Sequence, residues 1–170
     1  MYRYVNILTL FGLLLTFPIV CADDSPEAKK ELEKFQGKWT VVSIQSPTMG
    51  TAPKEALAKM KVEFKGERMI VLDEGRENDS ARVVLKPSER HIDLVYQIAE
   101  KGSDENSGAK RKTTERTVLG IYAFDGKKLK LCFGEPKEPN SQPPRPKSVE
   151  VKPLDDGSGQ AVMMLEKEKP

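Results

Sequence analysis

The sequence has few of the side chains from which catalytic and metal sites are built. Its 170 residues include one histidine, His91, and two cysteines, Cys21 and Cys132. No G-x-S-x-G motif, Cys/His ligand spacing or Gly-rich phosphate loop before a helix is present. His91 shares a strand face with Asp93, but strand alternation places both on the solvent side. We therefore expect no catalytic residue, no metal and no other cofactor.

An excess of charge of one sign is also absent. The chain has 28 Lys and Arg residues against 26 Asp and Glu residues, a formal net charge of +2. A nucleic-acid-binding protein would carry a strongly basic stripe. The one short basic cluster, at residues 110–112, has acidic residues on both sides. We therefore expect no nucleic-acid partner.

Only the first segment contains a long apolar run. Arg3 supplies a positive start, residues 5–20 are largely apolar, and Val20-Cys21-Ala22 provides the small residues of a cleavage site. We interpret residues 1–22 as a secretory signal peptide of a periplasmic or extracellular protein with no transmembrane segment after cleavage. Two alternatives stay open: a membrane anchor, although the run is short and broken at Pro18, and a lipoprotein signal with Cys21 lipidated. Cleavage would leave Cys132 without a disulfide partner.

The mature chain begins with a polar segment that enters one short helix. Ser25 is suited to the N-cap and Pro26 to the first helical position. Ala28, Leu32 and Phe35 then recur at helical spacing, and Gly37 ends the run. We assign residues 23–31 to this entering segment and residues 32–168 to a single domain, with a second short helical stretch within residues 53–60.

The rest of the domain is predicted to be β-structure. Nine short β-branched or aromatic runs alternate with Gly, Pro, Asp and Ser turns. This pattern predicts an all-β, antiparallel up-and-down barrel of about eight to nine strands, with a sandwich as the alternative. The predicted strands are Trp39–Ile44, Lys61–Phe64, Arg68–Leu72, Ala81–Lys86, His91–Ile98, Thr117–Phe124, Lys128–Phe133, Ser148–Val151 and Ala161–Glu166.

Two hairpins predict which side chains face the interior. A two-residue turn at Gly66-Glu67 would pair Phe64 with Met69, and a turn at Asp125-Gly126 would pair Tyr122 with Leu129. The opposite faces carry mostly charged residues, so these pairs should point inward. The same two hairpins place five further residues inward, and alternation along the strand between them adds four. The full expected inward set is Val62, Phe64, Met69, Val71, Ile92, Leu94, Tyr96, Ile98, Val118, Tyr122, Leu129, Leu131 and Phe133.

The outer face of the second hairpin is partly apolar. Leu119, Ile121 and Ala123 lie on it beside Cys132, and such a patch needs a cover. We expect the Leu32 and Phe35 stripe of the N-terminal helix to supply it, which would make Cys132 a buried thiol; an exposed, dimer-forming cysteine is the alternative. The proline-rich segment 135–147 is either a stiff connection or a polyproline II ligand.

A run of short motifs resembles a known family. LEKFQGKW (32–39), VEFKGE (62–67), IDL (92–94), LGIY (119–122) with DG (125–126), and LKLCF (129–133) are similar to a small lipocalin-like domain family of unknown function, abundant in planctomycete bacteria. The resemblance covers residues 32–167. It implies an exported lipocalin-like barrel in which Gly37 and Trp39 form the structural plug of the closed end. It implies no established activity, ligand or catalytic residue.

Two functions are consistent with such a barrel. The first is non-catalytic binding of a small apolar or amphipathic molecule, with Phe64, Met69, Tyr96, Tyr122 and Phe133 as the interior ligand-binding candidates. The second is a protein-interaction or inhibitor module whose barrel is packed solid and whose loops make the contacts. An eight-stranded barrel can either fill its interior with side chains or hold one small ligand. The sequence leaves both open.

Overall fold

The structure, a computed structural model, describes residues 25–46, 50–99, 113–135, 141–150 and 159–169. The predicted signal peptide, including Cys21, lies outside these residues, as does the short basic cluster 110–112. The first element is the helix α1 (Pro26–Phe35). Ser25 caps it by accepting a hydrogen bond from the Ala28 backbone N–H at 3.1 Å, as the sequence predicts. A second helix, α2 (Lys54–Leu57), also forms where the sequence predicts helical turns.

The remaining elements are strands, separated by turns and one 3-10 turn (Pro87–Glu89). Most of the strands extend the predicted ones by one to five residues at an end. They are β1 (Gly37–Ser46), β2 (Gly50–Thr51), β3 (Met60–Lys65), β4 (Arg68–Asp73), β5 (Arg76–Lys86), β6 (His91–Ala99), β7 (Thr113–Asp125), β8 (Lys128–Gly134) and β9 (Gln160–Lys167).

Eight of these strands form a closed antiparallel barrel. Each of β3 to β8 pairs with the next strand in the chain, and β1 pairs with both β3 and β9, which closes the ring. The short strand β2 adds to the end of β1 through Gln45 and Ser46. A bulge between Val41 and Ser43 lets β1 bend into both neighbours. The predicted all-β up-and-down barrel is therefore confirmed.

The hairpin registers decide which residues face inward. In β3–β4, Phe64 pairs with Met69 as predicted. In β7–β8 the prediction was wrong by two residues: the turn is Gly126-Lys127, so Tyr122 pairs with Leu131 rather than Leu129. Because side-chain direction has a period of two, a two-residue change leaves the inward set unaltered.

The predicted strand Ser148–Val151 was wrong for the residues described there. Residues 148–150 form bends rather than a strand. The segment 141–150, called the strap below, crosses the outside of the barrel instead of joining the sheet.

The barrel has two distinct ends. The helix end contains α1 together with the start of β1, the β3–β4 turn and the β7–β8 turn. The far end contains the end of β1, the start of β3, the β4–β5 turn and the start of β9. Helix α2 lies at the far end, where Leu57 is buried in the core.

Candidate functional site

The five predicted ligand-binding residues all lie on inward-facing positions, but they divide between the two ends. Phe64, Met69 and Tyr122 are at most 3% exposed and belong to the continuous core. Tyr96 and Phe133 are only partly buried and pack against that core from the far end. The two groups therefore have different surroundings, although binding by any of the five stays a prediction.

The helix end of the barrel is filled by an aromatic cluster built around Phe35. The Phe35 ring lies 5.3 Å from Phe64, 5.0 Å from Tyr122 and 4.9 Å from Phe124, in tilted or edge-on geometries. These separations are those of favourable aromatic contacts. A ligand could reach Phe64 or Tyr122 only by displacing the helix residue that covers them.

Trp39 and Gly37 lie beside this cluster at the start of β1. The Trp39 ring is 1% exposed, and its Nε1–H donates to the Phe35 carbonyl at 2.6 Å. The Lys167 ammonium lies 5.2 Å from the centre of the Trp39 ring, within cation–π range. Gly37 has φ +108°, a conformation that favours glycine and turns the chain sharply from α1 into β1.

Tyr122 also anchors the helix through its hydroxyl group. This hydroxyl donates to Glu31 Oε1 at 3.2 Å. Burial, and then the nearby Glu31 carboxylate, raise the pKa of Tyr122 well above its ordinary value. Tyr122 therefore stays neutral and serves as a packing and anchoring residue.

The far end of the barrel is packed less completely. Six inward-facing apolar side chains, one from each of six strands, are only partly buried there, and we call them the far-end cluster: Ile44, Val71, Tyr96, Val118, Phe133 and Met163. At the next inward-facing position of β6 after Tyr96, the Ile98 side chain is 45% exposed. The far-end cluster therefore presents the largest set of incompletely covered apolar side chains on the inward face of the described strands.

Polar groups stand beside the far-end cluster. Arg116 pairs with Tyr96 across β6–β7, and the charges of Asp79 and Arg116 both reach the Tyr96 hydroxyl. Burial and the Asp79 charge raise the pKa of Tyr96 to about 12, against a smaller opposite effect of Arg116. The phenol is neutral at physiological pH and can donate a hydrogen bond.

The outer face of β6–β8 is covered by the strap, and the expectation that α1 covers it was wrong. The α1 stripe points into the barrel because Phe35 fills its end, whereas Pro143 and Pro144 pack directly over Gly134. A side-chain carbon at Gly134 would clash with the Pro144 carbonyl oxygen, which shows how closely the strap approaches. The proline-rich stretch here is a packed connection.

One arginine holds the strap in place. Arg145 forms a bidentate ion pair with Asp93, at 2.6 and 3.0 Å, and also donates to the Gly120 carbonyl at 2.6 Å. Both charged side chains are mostly buried, at 20% and 16% exposure. Cys132 lies on the same outer face, opposite Ile121, and is fully buried. Burial raises the pKa of its thiol to about 12, so the thiol is neutral and unreactive.

Sequence reasoning missed this strap contact because Arg145 and Asp93 are 52 positions apart. The one indication of this contact in the sequence was the apolar outer face of β7, which another segment of the chain had to cover. His91 lies on the outer face as predicted, where its Nδ1 is 2.8 Å from Glu89.

No metal site is evident in the part of the chain that the structure describes. Across residues 25–46, 50–99, 113–135, 141–150 and 159–169, no three His, Cys, Asp or Glu side chains group closely enough to hold an ion. None of the helices found in those ranges combines the length and apolarity needed to cross a lipid bilayer.

The architecture defines a closed eight-stranded up-and-down barrel with a helix-filled end. Comparisons with known proteins add no assignment to this fold: no protein-family model, no curated protein and no solved structure matches the chain. The similarity to the planctomycete lipocalin-like family accordingly stays a prediction from the sequence motifs.

Proposed function

We propose that the protein is an exported, non-catalytic lipocalin-like binder of a small apolar or amphipathic molecule, which enters at the far end of the barrel. The observation that carries this proposal is the contrast between the two ends. At the helix end Phe35 completes the packing, while the far-end cluster stays only partly buried. Partly covered apolar side chains at a barrel mouth favour an apolar guest because its binding removes their surface from water.

The filled helix end sets the depth that a ligand can reach. Tyr96, Val118 and Phe133 would contact it, while Met69 and Phe64 lie deeper and remain part of the core. The ligand is therefore a short chain or a single ring system that occupies only the far half of the barrel. A long lipid would project from the mouth.

The polar groups of the mouth favour an amphipathic ligand over a pure hydrocarbon. The neutral Tyr96 hydroxyl can donate a hydrogen bond, and Arg116 offers a positive charge at the same level of the barrel. Asp79 offsets part of that charge. A ligand with an apolar body and a hydroxyl, carbonyl or other neutral polar head fits this arrangement best.

A fluorescence titration with N-phenylnaphthylamine, an uncharged apolar dye, tests the proposal. We expect saturable binding that weakens at least about tenfold in the double variant Tyr96→Ser, Val118→Ser, because two contact side chains are truncated. Val42→Ser is the matched control, since Val42 is an exposed apolar residue on β1 outside the mouth. Thermal melts of all variants check that each is folded. Equal affinity in both variants would contradict the proposal.

The alternative is a protein-interaction or inhibitor module, and one observation favours it. Sixteen buried residues form a single continuous core through much of the barrel, so side chains alone fill most of the interior. Native mass spectrometry of protein purified from its native host separates the two functions. A co-purifying small molecule supports the binder, whereas a ligand-free barrel that also fails to bind the dye supports the interaction module.

A further inference from the structure

A second cleft lies outside the barrel, on the opposite side of the sheet from the far-end cluster. It has a volume of about 680 Å³ and lies between the strap, the outer face of β7 and the 3-10 turn that precedes β6. This volume is in the range of small-molecule sites. The proposed function makes no use of it.

The floor and one wall of the cleft are apolar. Ile121 and Ala123 project outward from β7 and stay only partly buried beneath the strap. Pro146 and Val149 line the facing wall. An apolar floor on the outside of a barrel is unusual, because that face is normally solvated and polar. The strap covers one part of this apolar face. Over Ile121 and Ala123 the strap forms only the facing wall of the cleft, and the space between remains open.

The rim of the cleft is mainly cationic. Arg90, Arg145 and Lys147 carry three permanent positive charges against the carboxylates of Glu89 and Glu150. The His91 Nδ1 lies 2.8 Å from the Glu89 Oε2, so the Glu89 carboxylate already has a partner within the protein. Arg90 and Lys147 make no ion pair with any residue that the structure describes, so both are available to an anion.

The structure holds the guanidinium of Arg145 and the backbone of Arg90 in defined positions. The backbone of Arg90 is fixed on both sides, since its N–H donates to Pro87 and its carbonyl accepts from Tyr122. Arg145 is fixed by its three hydrogen bonds to Asp93 and Gly120. A guanidinium has five N–H donors, so two of those of Arg145 remain for a ligand. Such preorganisation lowers the entropic cost of binding.

We propose that this cleft is a binding site for a small amphipathic anion, whose apolar body lies on Ile121 and Ala123 and whose acidic group lies between Arg90 and Lys147. The ligand class is an organic carboxylate, sulfonate or phosphate with one ring system or a short branched chain. The far-end site prefers a neutral ligand, so the two sites differ in the charge that they select.

A pair of dyes that differ by one sulfonate group tests this proposal. Anilinonaphthalene sulfonate is the anionic counterpart of N-phenylnaphthylamine, and its affinity is measured by fluorescence titration of the full protein. We expect Arg90→Gln with Lys147→Gln to weaken binding of the anionic dye about tenfold, as for two partly exposed charge contacts. Binding of the neutral dye should be unchanged, because that dye reports on the far-end cluster.

The matched control is the double variant Lys65→Gln, Arg76→Gln. It makes the same change in net charge at two exposed residues remote from the cleft. An equal loss of affinity in the control would show a general electrostatic effect and overturn the proposal. Absence of saturable anionic-dye binding to the parent protein would overturn it as well.

Backbone amide shifts locate the anionic dye and separate the two sites. Shifts at Ile121, Ala123 and Val149 support the cleft. Shifts at Tyr96, Val118 and Met163 would place the dye in the barrel mouth, which would contradict this inference while leaving the proposed function intact.

Discussion

The ion pair between Arg145 and Asp93 should control access to the only cysteine in the described residues. The strap reaches the barrel through this pair and through the Gly120 carbonyl, and Cys132 lies fully buried on the same outer face. Replacing Arg145 with Ala removes all three hydrogen bonds and leaves the Asp93 carboxylate partly buried without its partner. We predict that the strap then opens far more often and exposes the thiol.

The size of the effect follows from the burial of the pair. Breaking one partner of a fully buried ion pair costs about 3–5 kcal/mol, while an exposed pair contributes less than about 1 kcal/mol. The two side chains are 20% and 16% exposed, between these two limits. We therefore expect a cost of about 2 kcal/mol to strap docking, which corresponds to about a thirtyfold rise in the open population.

Thiol labelling under native conditions measures that population directly. In a Cys21→Ser background only Cys132 reacts, so the rate of reaction with an aromatic disulfide reagent reports strap opening. We expect Arg145→Ala to raise this rate about thirtyfold, and Arg76→Ala, an exposed control, to leave it unchanged. A rate within twofold of the parent in Arg145→Ala would refute the reasoning, because neither the pair nor the strap would then protect the thiol.

Three further predictions concern buried residues. Gly120→Ala places a carbon 2.5 Å from the Phe133 ring and should lower the free energy of unfolding in urea by about 1–3 kcal/mol. Adding Phe133→Leu should restore part of this loss, and no recovery in the double variant would contradict the contact. Phe35→Ala removes the ring that fills the helix end and should cost about 3–5 kcal/mol, whereas a loss below about 1 kcal/mol would show that the ring is not central. The free energy of unfolding should fall between about pH 9 and pH 12, because the unfolded Cys132 thiol releases its proton from its ordinary pKa of 9.0 while the folded thiol keeps it to about 12. Below pH 9 the thiol is protonated in both the folded and the unfolded protein, so its contribution to stability is constant. In Cys132→Ala the free energy of unfolding should therefore fall less steeply above pH 9, by up to about 1.4 kcal/mol per pH unit. An unchanged slope would contradict the raised pKa of Cys132.

Local patterns predicted the barrel because they act through neighbouring residues. The alternation in β6 and the Gly66-Glu67 turn depend on contacts within one hairpin, and both are found in the structure. The β7–β8 turn was placed one residue too early, since Asp125-Gly126 and Gly126-Lys127 both offer a glycine with a positive φ. The error changed the partner of Tyr122 but not the face on which it lies.

Long-range packing could not be predicted in the same way. The Leu32 and Phe35 stripe of α1 is equally suited to the outside of β7 and to the end of the barrel, and periodicity does not distinguish the two. The strap is fixed by a single arginine and by proline contacts, which have no periodic pattern. The need for a cover over Ile121 was visible in the sequence, but the identity of that cover was not.

The candidate site was likewise predicted where local patterns decide it and missed where long-range packing decides it. Alternation identified the inward residues, including Tyr96 and Phe133, which lie in the far-end cluster. It could not show that Phe35 would enter the barrel and bury Phe64 and Tyr122, because the depth at which a helix enters depends on the whole aromatic cluster. The cleft beneath the strap could not be predicted either, because it depends on how the strap packs against β7.

Amide shift mapping with N-phenylnaphthylamine shows directly whether the far end of the barrel binds an apolar molecule. We predict saturable shifts at Tyr96, Val118, Phe133 and Met163, with the amides around Phe35 and Trp39 unchanged because the helix end is filled. Shifts confined to the outer face, or no saturable shift at any amide, would contradict it.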